Sequence, residues 1–320
     1  MIFNKNELKK PVLVAELCQN HLGSLTLLKE MISAASEAGV KYLKIQDINS
    51  KDLVHRKKFD YKNKKNLYRP FKNELTRLRK LDLPKNFINI FIEECKKKNC
   101  NPIITPFTHE SINNIKNKKL KAIKIASYDS TSYPLLGNLK ELNLPFIIST
   151  GATTNKQIAK TSDFMKKKVF ALLHCVTVYP TPLHLCNLEK IKFLNKYKKY
   201  VGWSDHTEFE KDKHIASLAS ILFGSKIIER HFTILDRSKT KDGIVSITPD
   251  NAKEFLYLSK QSSSEIKYYL KNTNKNWKTC INSKKKNLSK VEKLNLDYYR
   301  GRFAAKTKNK IVYNWEEYKN

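Results

Sequence analysis

Short apolar runs recur along this chain, separated by amphipathic stretches of helix length, from Pro11 to about Asp250. The first, Pro11-Val12-Leu13-Val14-Ala15-Glu16-Leu17, is apolar except at Glu16 and predicts a strand. Ser24 then offers an N-cap to a helix that runs to Ala38 and ends at Gly39. Tyr42-Leu43-Lys44-Ile45-Gln46 alternates, so that Lys44 and Gln46 share one face and Leu43 and Ile45 the other. Further strands are predicted at Pro102 to Phe107, Ala122 to Ser127, Pro145 to Gly151 and Val169 to Cys175. The stretch from Val201 to His231 reads as a β-α-β unit, with His206 and His231 at the carboxyl ends of neighbouring parallel strands. A helix is expected over Lys85 to Lys98. The long Lys- and Tyr-rich connection from Asp47 to Leu83, with a helical pattern near Glu74 to Leu81, is compatible with a lid or with a decorative insertion.

About eight β-α units result, each with its polar exception at the carboxyl end of the strand, the layout expected of an α/β protein of the (β/α)8 TIM-barrel class. A doubly wound open sheet would instead concentrate such residues near one switch point. Residues 1–275 are assigned to the barrel and 276–320 to a linker and tail.

Composition narrows this little further. With 320 residues the chain accommodates one barrel and extra segments. No apolar run approaches a membrane span, and Met1-Ile2-Phe3-Asn4-Lys5 lacks the apolar core of a signal peptide, so a cytoplasmic protein is expected. The scattered cysteines, Cys18, Cys95, Cys100, Cys175, Cys186 and Cys280, show no metal-type spacing and read as reduced structural thiols. A net charge of +32 would suit a nucleic-acid or acidic-membrane surface or attraction of an anionic substrate. Its lysines are dispersed over every predicted element, as at Lys62 to Lys65, Lys96 to Lys98, Lys166 to Lys168 and Lys284 to Lys286. With no zinc-finger or RNA-binding signature, neither a nucleic-acid nor a membrane partner is expected; compositional drift with some steering of anions accounts for the charge.

On one rim, the predicted strand ends would gather Lys44 and Lys124, the hydroxyls of Thr105, Ser127, Ser149 and Ser204, the carboxylates Glu16 and Glu229, and His206 and His231. Cations with hydroxyls suit a phosphate, and two neutral imidazoles suit a divalent metal that polarises a carbonyl or holds water. Residue chemistry alone reaches as far as a metal-assisted barrel enzyme acting on a phosphorylated or polyanionic small molecule.

Several motifs are more specific than that. They are Ala15-Glu16 with Asn20-His21-Leu22-Gly23-Ser24, Leu43-Lys44-Ile45-Gln46, Ile104-Thr105-Pro106-Phe107, Lys124-Ile125-Ala126-Ser127, Ser149-Thr150-Gly151, Leu173-His174-Cys175 with Tyr179-Pro180-Thr181-Pro182, Gly202-Trp203-Ser204-Asp205-His206-Thr207 and Glu229-Arg230-His231-Phe232-Thr233. In order and spacing they resemble the N-acetylneuraminate (sialic acid) synthase family, over roughly Pro11 to Asp250. The resemblance implies a homodimeric enzyme that condenses phosphoenolpyruvate with an N-acyl aldose, typically N-acetylmannosamine, and releases phosphate by C-O cleavage. It also implies a divalent metal, Mn2+ or Mg2+, held by His206 and His231. On the same basis Lys44 and Lys124 grip phosphoenolpyruvate, with Thr105, Ser127, Ser149 and Ser204 adding hydrogen bonds. Glu16 and Gln46 contact the sugar, Tyr179 lines its site and Asp242 binds sugar hydroxyls.

The chain departs from the family pattern at three places. Asp129 stands for a Glu one methylene longer and is carried over as catalytic, and Thr177 stands where Asn or Ser is common near phosphoenolpyruvate. The third departure is the C-terminal antifreeze-like (SAF) domain, of which Leu288 to Lys293 and Arg300 to Lys306 resemble only the linker and the opening. So short a remnant cannot form its own core, leaving either a solvated tail or a segment that lends Arg300 or Arg302 to a neighbouring subunit. Sister activities making legionaminic, pseudaminic or another sugar acid fit the same motifs. A lapsed barrel that binds polyanions is the alternative of a different class.

Overall fold

The computed structural model of the chain describes residues 7–282 and 288–316; Met1 to Lys5 and the run Lys284 to Lys286 lie outside them. Eight parallel strands close into a barrel in sequence order: β1 (Val12–Cys18), β2 (Tyr42–Asp47), β3 (Asn101–Pro106), β4 (Ala122–Ile125), β5 (Phe146–Ser149), β6 (Val169–Cys175), β7 (Tyr200–Asp205) and β8 (Ile227–His231). Closure comes from β8 pairing with β1, where Val12 meets Ile227 and Glu16 meets His231. The crossovers carry α1 (Leu25–Glu37), α2 (Phe71–Arg79), α3 (Phe87–Lys97), α4 (His109–Ile115), α5 (Tyr133–Leu139), α6 (Asn155–Met165), α7 (Lys190–Leu194), α8 (Phe209–Asp212) and α9 (Ile215–Leu222), with α10 (Pro249–Leu258) and α11 (Ser263–Thr273) after the last strand. Among the described residues, no helix is long and apolar enough to cross a membrane. The six cysteines are free and buried.

Strand alternation builds the core in two shells. Residues such as Leu13, Ala15, Leu43, Ile45, Ile123 and Trp203 face outward and join the apolar faces of the helices. Residues of the opposite parity, among them Val14, Tyr42, Ile103, Ala122, Ile147 and Ile227, fill the barrel interior. On β7 the interior position is Gly202, and nothing larger fits: a Cβ there would stand 2.0 Å from the carbonyl oxygen of Ile227. Ser24 caps α1 by accepting from Leu27 N, and Gly39 at φ +86° ends that turn in the left-handed region.

The C-terminal segment is not the solvated tail that was one of the two expectations for it. It folds as α12 (Lys290–Tyr299) and a hairpin of β9 (Ala304–Lys306) and β10 (Ile311–Tyr313), and it lies on its own barrel. Phe303 packs with Leu53 and Leu78 in a small apolar cluster, and Trp315 and Tyr298 are buried. Arg302, expected in solvent or in a neighbour's site, is 8 % exposed and paired with Glu74; Arg300 donates to Thr131 Oγ1 over 3.0 Å. Its few apolar side chains borrow a core from the connection after β2, which Val54 N ties to Arg302 O at 3.0 Å. That connection is thereby clamped by the segment from Ser289 to Trp315.

Candidate active site

A step of two residues along each strand moves one layer up the barrel interior, because alternate side chains point inward. Two places after Val14, Tyr42, Ile103, Ala122, Ile147 and Ile227 stand Glu16, Lys44, Thr105, Lys124, Ser149 and Glu229, with Cys175 and Ser204 two places after Leu173 and Gly202. The apolar plug therefore carries a polar layer directly above it, all of it buried. One step further come Gln46, Thr177, His206 and His231.

In the lower layer, two lysines meet two carboxylates. Lys44 Nζ contacts Glu16 and lies 3.8 Å from Glu229, while Lys124 Nζ lies 3.4 Å from Glu229. Ser204 Oγ donates to Glu229 Oε1 (2.9 Å), and Lys44 donates to Thr105 Oγ1 (3.3 Å). Burial alone would raise the Glu229 carboxyl, but Lys124, Lys44 and the Ser204 hydrogen bond together hold it well below the usual range. Burial pulls the Lys44 ammonium down to about 7, against the attraction of Glu229. Glu16, assigned to the sugar by resemblance, also accepts from Cys18 N at 2.7 Å.

The two histidines meet in the upper layer, with ring centroids 5.4 Å apart. His206 Nδ1 lies 3.2 Å from the carbonyl oxygen of Val176, which can only accept, so Nδ1 carries the proton. Its Nε2 lone pair is then left to accept from the Tyr179 hydroxyl at 2.8 Å. Burial, followed by the repulsion of His231, lowers His206 to about 3. Burial also lowers His231, against the pull of Asp242. His231 Nδ1 is buried without a hydrogen-bond partner, 3.9 Å from Asp242 Oδ2. Two neutral imidazoles with available lone pairs beside a carboxylate fit a divalent ion. Cys18 Sγ also lies near His231 and Asp242, but burial and then Asp242 hold its thiol protonated and make it the poorer ligand.

These groups open on one cavity of about 380 Å3 at the carboxyl end of the barrel. Of the residues singled out in the sequence, Glu16, Lys44, Gln46, Thr105, Lys124, Ser127, Ser149, Thr177, Tyr179, Ser204, His206, His231 and Asp242 all line it. Asp129 does not. It is buried under the C-terminal segment, where its Oδ1 accepts from Trp315 Nε1 (3.2 Å) and Asn314 Nδ2 (3.4 Å). The short turn Ser127–Asp129 after β4 presents Ser127 to the cavity and turns Asp129 towards the tail.

Sequence reasoning missed the cavity's outer wall. Arg69, Arg77 and Lys241 line it, as do Asn295 and Tyr299 of α12, and Arg302, which the sequence offered only to a neighbouring subunit, lines it in its own chain. Asn295 Nδ2 donates to Thr177 O (2.7 Å), and Tyr299 stacks on Tyr128 at 4.7 Å between centroids. In a chain with 62 basic residues, single cations carry no signal of their own. Cys175 was also missed; it completes the lower layer with Sγ 3.6 Å from His206 Nδ1, and the two-residue step from Leu173 would have found it.

Comparison with known proteins gives the site a context. The model of the NeuB family matches residues 31–271. N,N'-diacetyllegionaminic acid synthase of Campylobacter jejuni is 31% identical over 88% of this chain and 85% of its own length. Pseudaminic acid synthase of the same organism is 28% identical over 83% of this chain and 77% of its own. The crystal structure of N-acetylneuraminic acid (sialic acid) synthetase from Leptospira borgpetersenii, in complex with citrate, matches with a TM-score of 0.66 and 26% identity over 90% of this chain and 91% of that one.

Proposed function

This chain belongs to the NeuB family of sugar-acid synthases, and from that premise we propose that it condenses phosphoenolpyruvate with an N-acyl aldose to give a nonulosonic acid and inorganic phosphate. The observation that carries the reading is a set of buried hydroxyls, Ser149 Oγ, Thr177 Oγ1 and Tyr128 OH, that line the same cavity as Lys124 and make no well-formed hydrogen bond to the protein. Buried polar atoms without partners are rare, and a cluster of them beside a lysine supports a phosphorylated ligand.

Each residue's part follows from its place. Lys124 and Lys44 hold the phosphate and carboxylate of phosphoenolpyruvate, with Ser127, Ser149, Thr177, Thr105 and Ser204 orienting it. Glu229, fixed by Ser204 and both lysines, gives those ammonium groups a carboxylate partner and aims them inward. Glu16, Gln46, Tyr179 and Asp242 face the acceptor sugar. A divalent ion, Mn2+ or Mg2+, held by His206 and His231 with Asp242 beside them, would polarise the acceptor's aldehyde oxygen. C3 of phosphoenolpyruvate attacks that aldehyde carbon, positive charge develops at C2, water adds there, and phosphate leaves with its bridging oxygen. The covering C-terminal segment limits bulk water in the cavity. A cytoplasmic homodimer belongs to the same reading.

The test is phosphate release from phosphoenolpyruvate by purified protein with manganese, against a panel of N-acyl mannosamine and dideoxyhexose acceptors, with His206→Ala as control. Sugar-dependent release that vanishes in the control is expected. A folded protein that releases no phosphate with any acceptor would sink the reading.

A further inference from the structure

Cys18 ends β1 at φ +41°, a left-handed value that is uncommon for a residue with a side chain. The pairing of β1 with β2 shifts register between Glu16 and Cys18, and Cys18 N donates to Glu16 Oε1 over 2.7 Å. Such an irregularity at a strand end re-aims the side chain it carries. Here the sulfur meets two other donors. Among the described residues, Cys18 Sγ, a ring nitrogen of His231 and a carboxylate oxygen of Asp242 all lie within 4.8 Å of one another, and His206 is outside that set. His231 adds an independent sign of a ligand: its Nδ1, 3.9 Å from Asp242 Oδ2, is buried without a hydrogen-bond partner.

Donor chemistry says which ion such a set takes. Bonds of about 2.3 Å to sulfur and about 2.0–2.2 Å to nitrogen and oxygen keep the donors of one Zn2+ within about 4.5 Å of each other, so small side-chain shifts close these three on an ion. His231 and Asp242 line the cavity, which gives the ion its way in. Mn2+ and Mg2+ prefer oxygen donors and water, and for them a protonated thiol is the poorer ligand. A thiophilic ion reverses that order: it binds the sulfur as thiolate, and the displaced proton passes to solvent. We infer that the rim holds a second ligand set, Cys18, His231 and Asp242, which takes a thiophilic divalent ion such as Zn2+. It shares His231 with the pair proposed for Mn2+ or Mg2+, so the two kinds of ion exclude each other. Ion binding is read without either substrate, and the synthase reading stands or falls separately.

The experiment adds Co2+, whose thiolate complexes absorb in the near ultraviolet, to the chelator-treated full-length protein, and titrates Zn2+ and Mn2+ by calorimetry. The wild type is expected to show the thiolate-to-cobalt band, and Cys18→Ser and Cys18→Gly to lose it. Cys175→Ser, which removes the other sulfur beside an imidazole, is expected to keep the band, as is His206→Ala. Zn2+ affinity is expected to fall by at least about 100-fold in both Cys18 variants, more than loss of an outer-shell contact costs, and Mn2+ affinity to change by less than about 3-fold. Glycine accepts the positive φ of this position, so an unchanged or raised melting temperature of metal-free Cys18→Gly shows that the fold is kept. A band that is absent from the wild type, that survives in both Cys18 variants, or that disappears with Cys175 or His206 overturns the inference. Equal losses of Zn2+ and Mn2+ affinity also overturn it, because Cys18 would then support the shared imidazole without ligating.

Discussion

Trp315 Nε1 donates to the Asp129 carboxylate over 3.2 Å, joining the last described turn of the chain to the loop after β4. This contact makes an apparent active-site acid the anchor of the C-terminal segment. Burial raises Asp129 from its ordinary 3.8 to about 6, against the hydrogen bonds from Trp315 and Asn314. The folded state therefore holds the proton more tightly than the unfolded chain does. The stabilisation from proton uptake is complete below about pH 3.8 and lost as pH rises through 6, at most about 3 kcal/mol for this buried group. Amide-exchange protection of β9 and β10 should fall from pH 5 to pH 7, and Asp129→Asn should flatten that dependence. A profile identical in wild type and variant would place the titration elsewhere.

Glu74 works with the opposite sign. Burial raises its carboxyl, but the Arg77 hydrogen bond and the charges of Arg302 and Arg77 outweigh burial and lower it to about 2. Its contribution is present above its ordinary 4.5 and fades as pH falls through 2. The two acids together put the tightest docking of the C-terminal segment near pH 4 to 5. Glu74→Ala should release Arg302 and make the stretch from 288 onward the first site of proteolytic cutting, at least about 10-fold faster than in wild type. Unchanged cutting would show that Phe303 and Trp315 hold the segment without the ion pair.

Most of the barrel and the inner site could be read from the chain because both rest on local rules. Alternation sets which residues enter the barrel, and strand ends set their height, so Lys44, Lys124, His206 and His231 converge without knowledge of any long-range contact. Helix bounds shifted by one to three residues: the helix expected from Lys85 to Lys98 runs from Phe87 to Lys97, and the pattern near Glu74 to Leu81 is Phe71–Arg79. What escaped depends on pairs distant in sequence. Nothing local links Arg302 to Glu74 or Trp315 to Asp129, and a two-residue difference in a turn decides whether Ser127 or Asp129 meets the cavity.

The polar layer above the plug predicts a stability cost. Glu229 lies 3.4 Å from Lys124 and 3.8 Å from Lys44, and accepts from Ser204. Glu229→Ala leaves Lys44 with Glu16 and takes away the carboxylate that Lys124 faces, and breaking such a network typically costs about 3–5 kcal/mol. Ser204→Ala removes one hydrogen bond to the same carboxylate and should cost about 1–3 kcal/mol. Urea unfolding measures both. A loss below about 1 kcal/mol for Glu229→Ala would mean that the lysines find other partners or shed their protons when it is gone.

The Tyr179 hydroxyl and a metal ion compete for one lone pair. His206 Nδ1 is committed to the Val176 carbonyl, so Nε2 is the atom it can offer an ion, and Tyr179 OH sits 2.8 Å from it. For His206 to ligate, that hydroxyl must move, at a cost near that of one hydrogen bond, about 0.5–1.5 kcal/mol. Tyr179→Phe should therefore tighten manganese binding in the absence of substrate by roughly 2- to 10-fold. His206→Ala and His231→Ala should each weaken it by at least about 100-fold, beyond the effect expected of removing an outer-shell partner. Titration calorimetry with manganese reads all three. If Tyr179→Phe binds the ion more weakly than wild type, the hydroxyl orients the imidazole instead of competing for it, and His206 ligates through a ring geometry that this tyrosine holds in place.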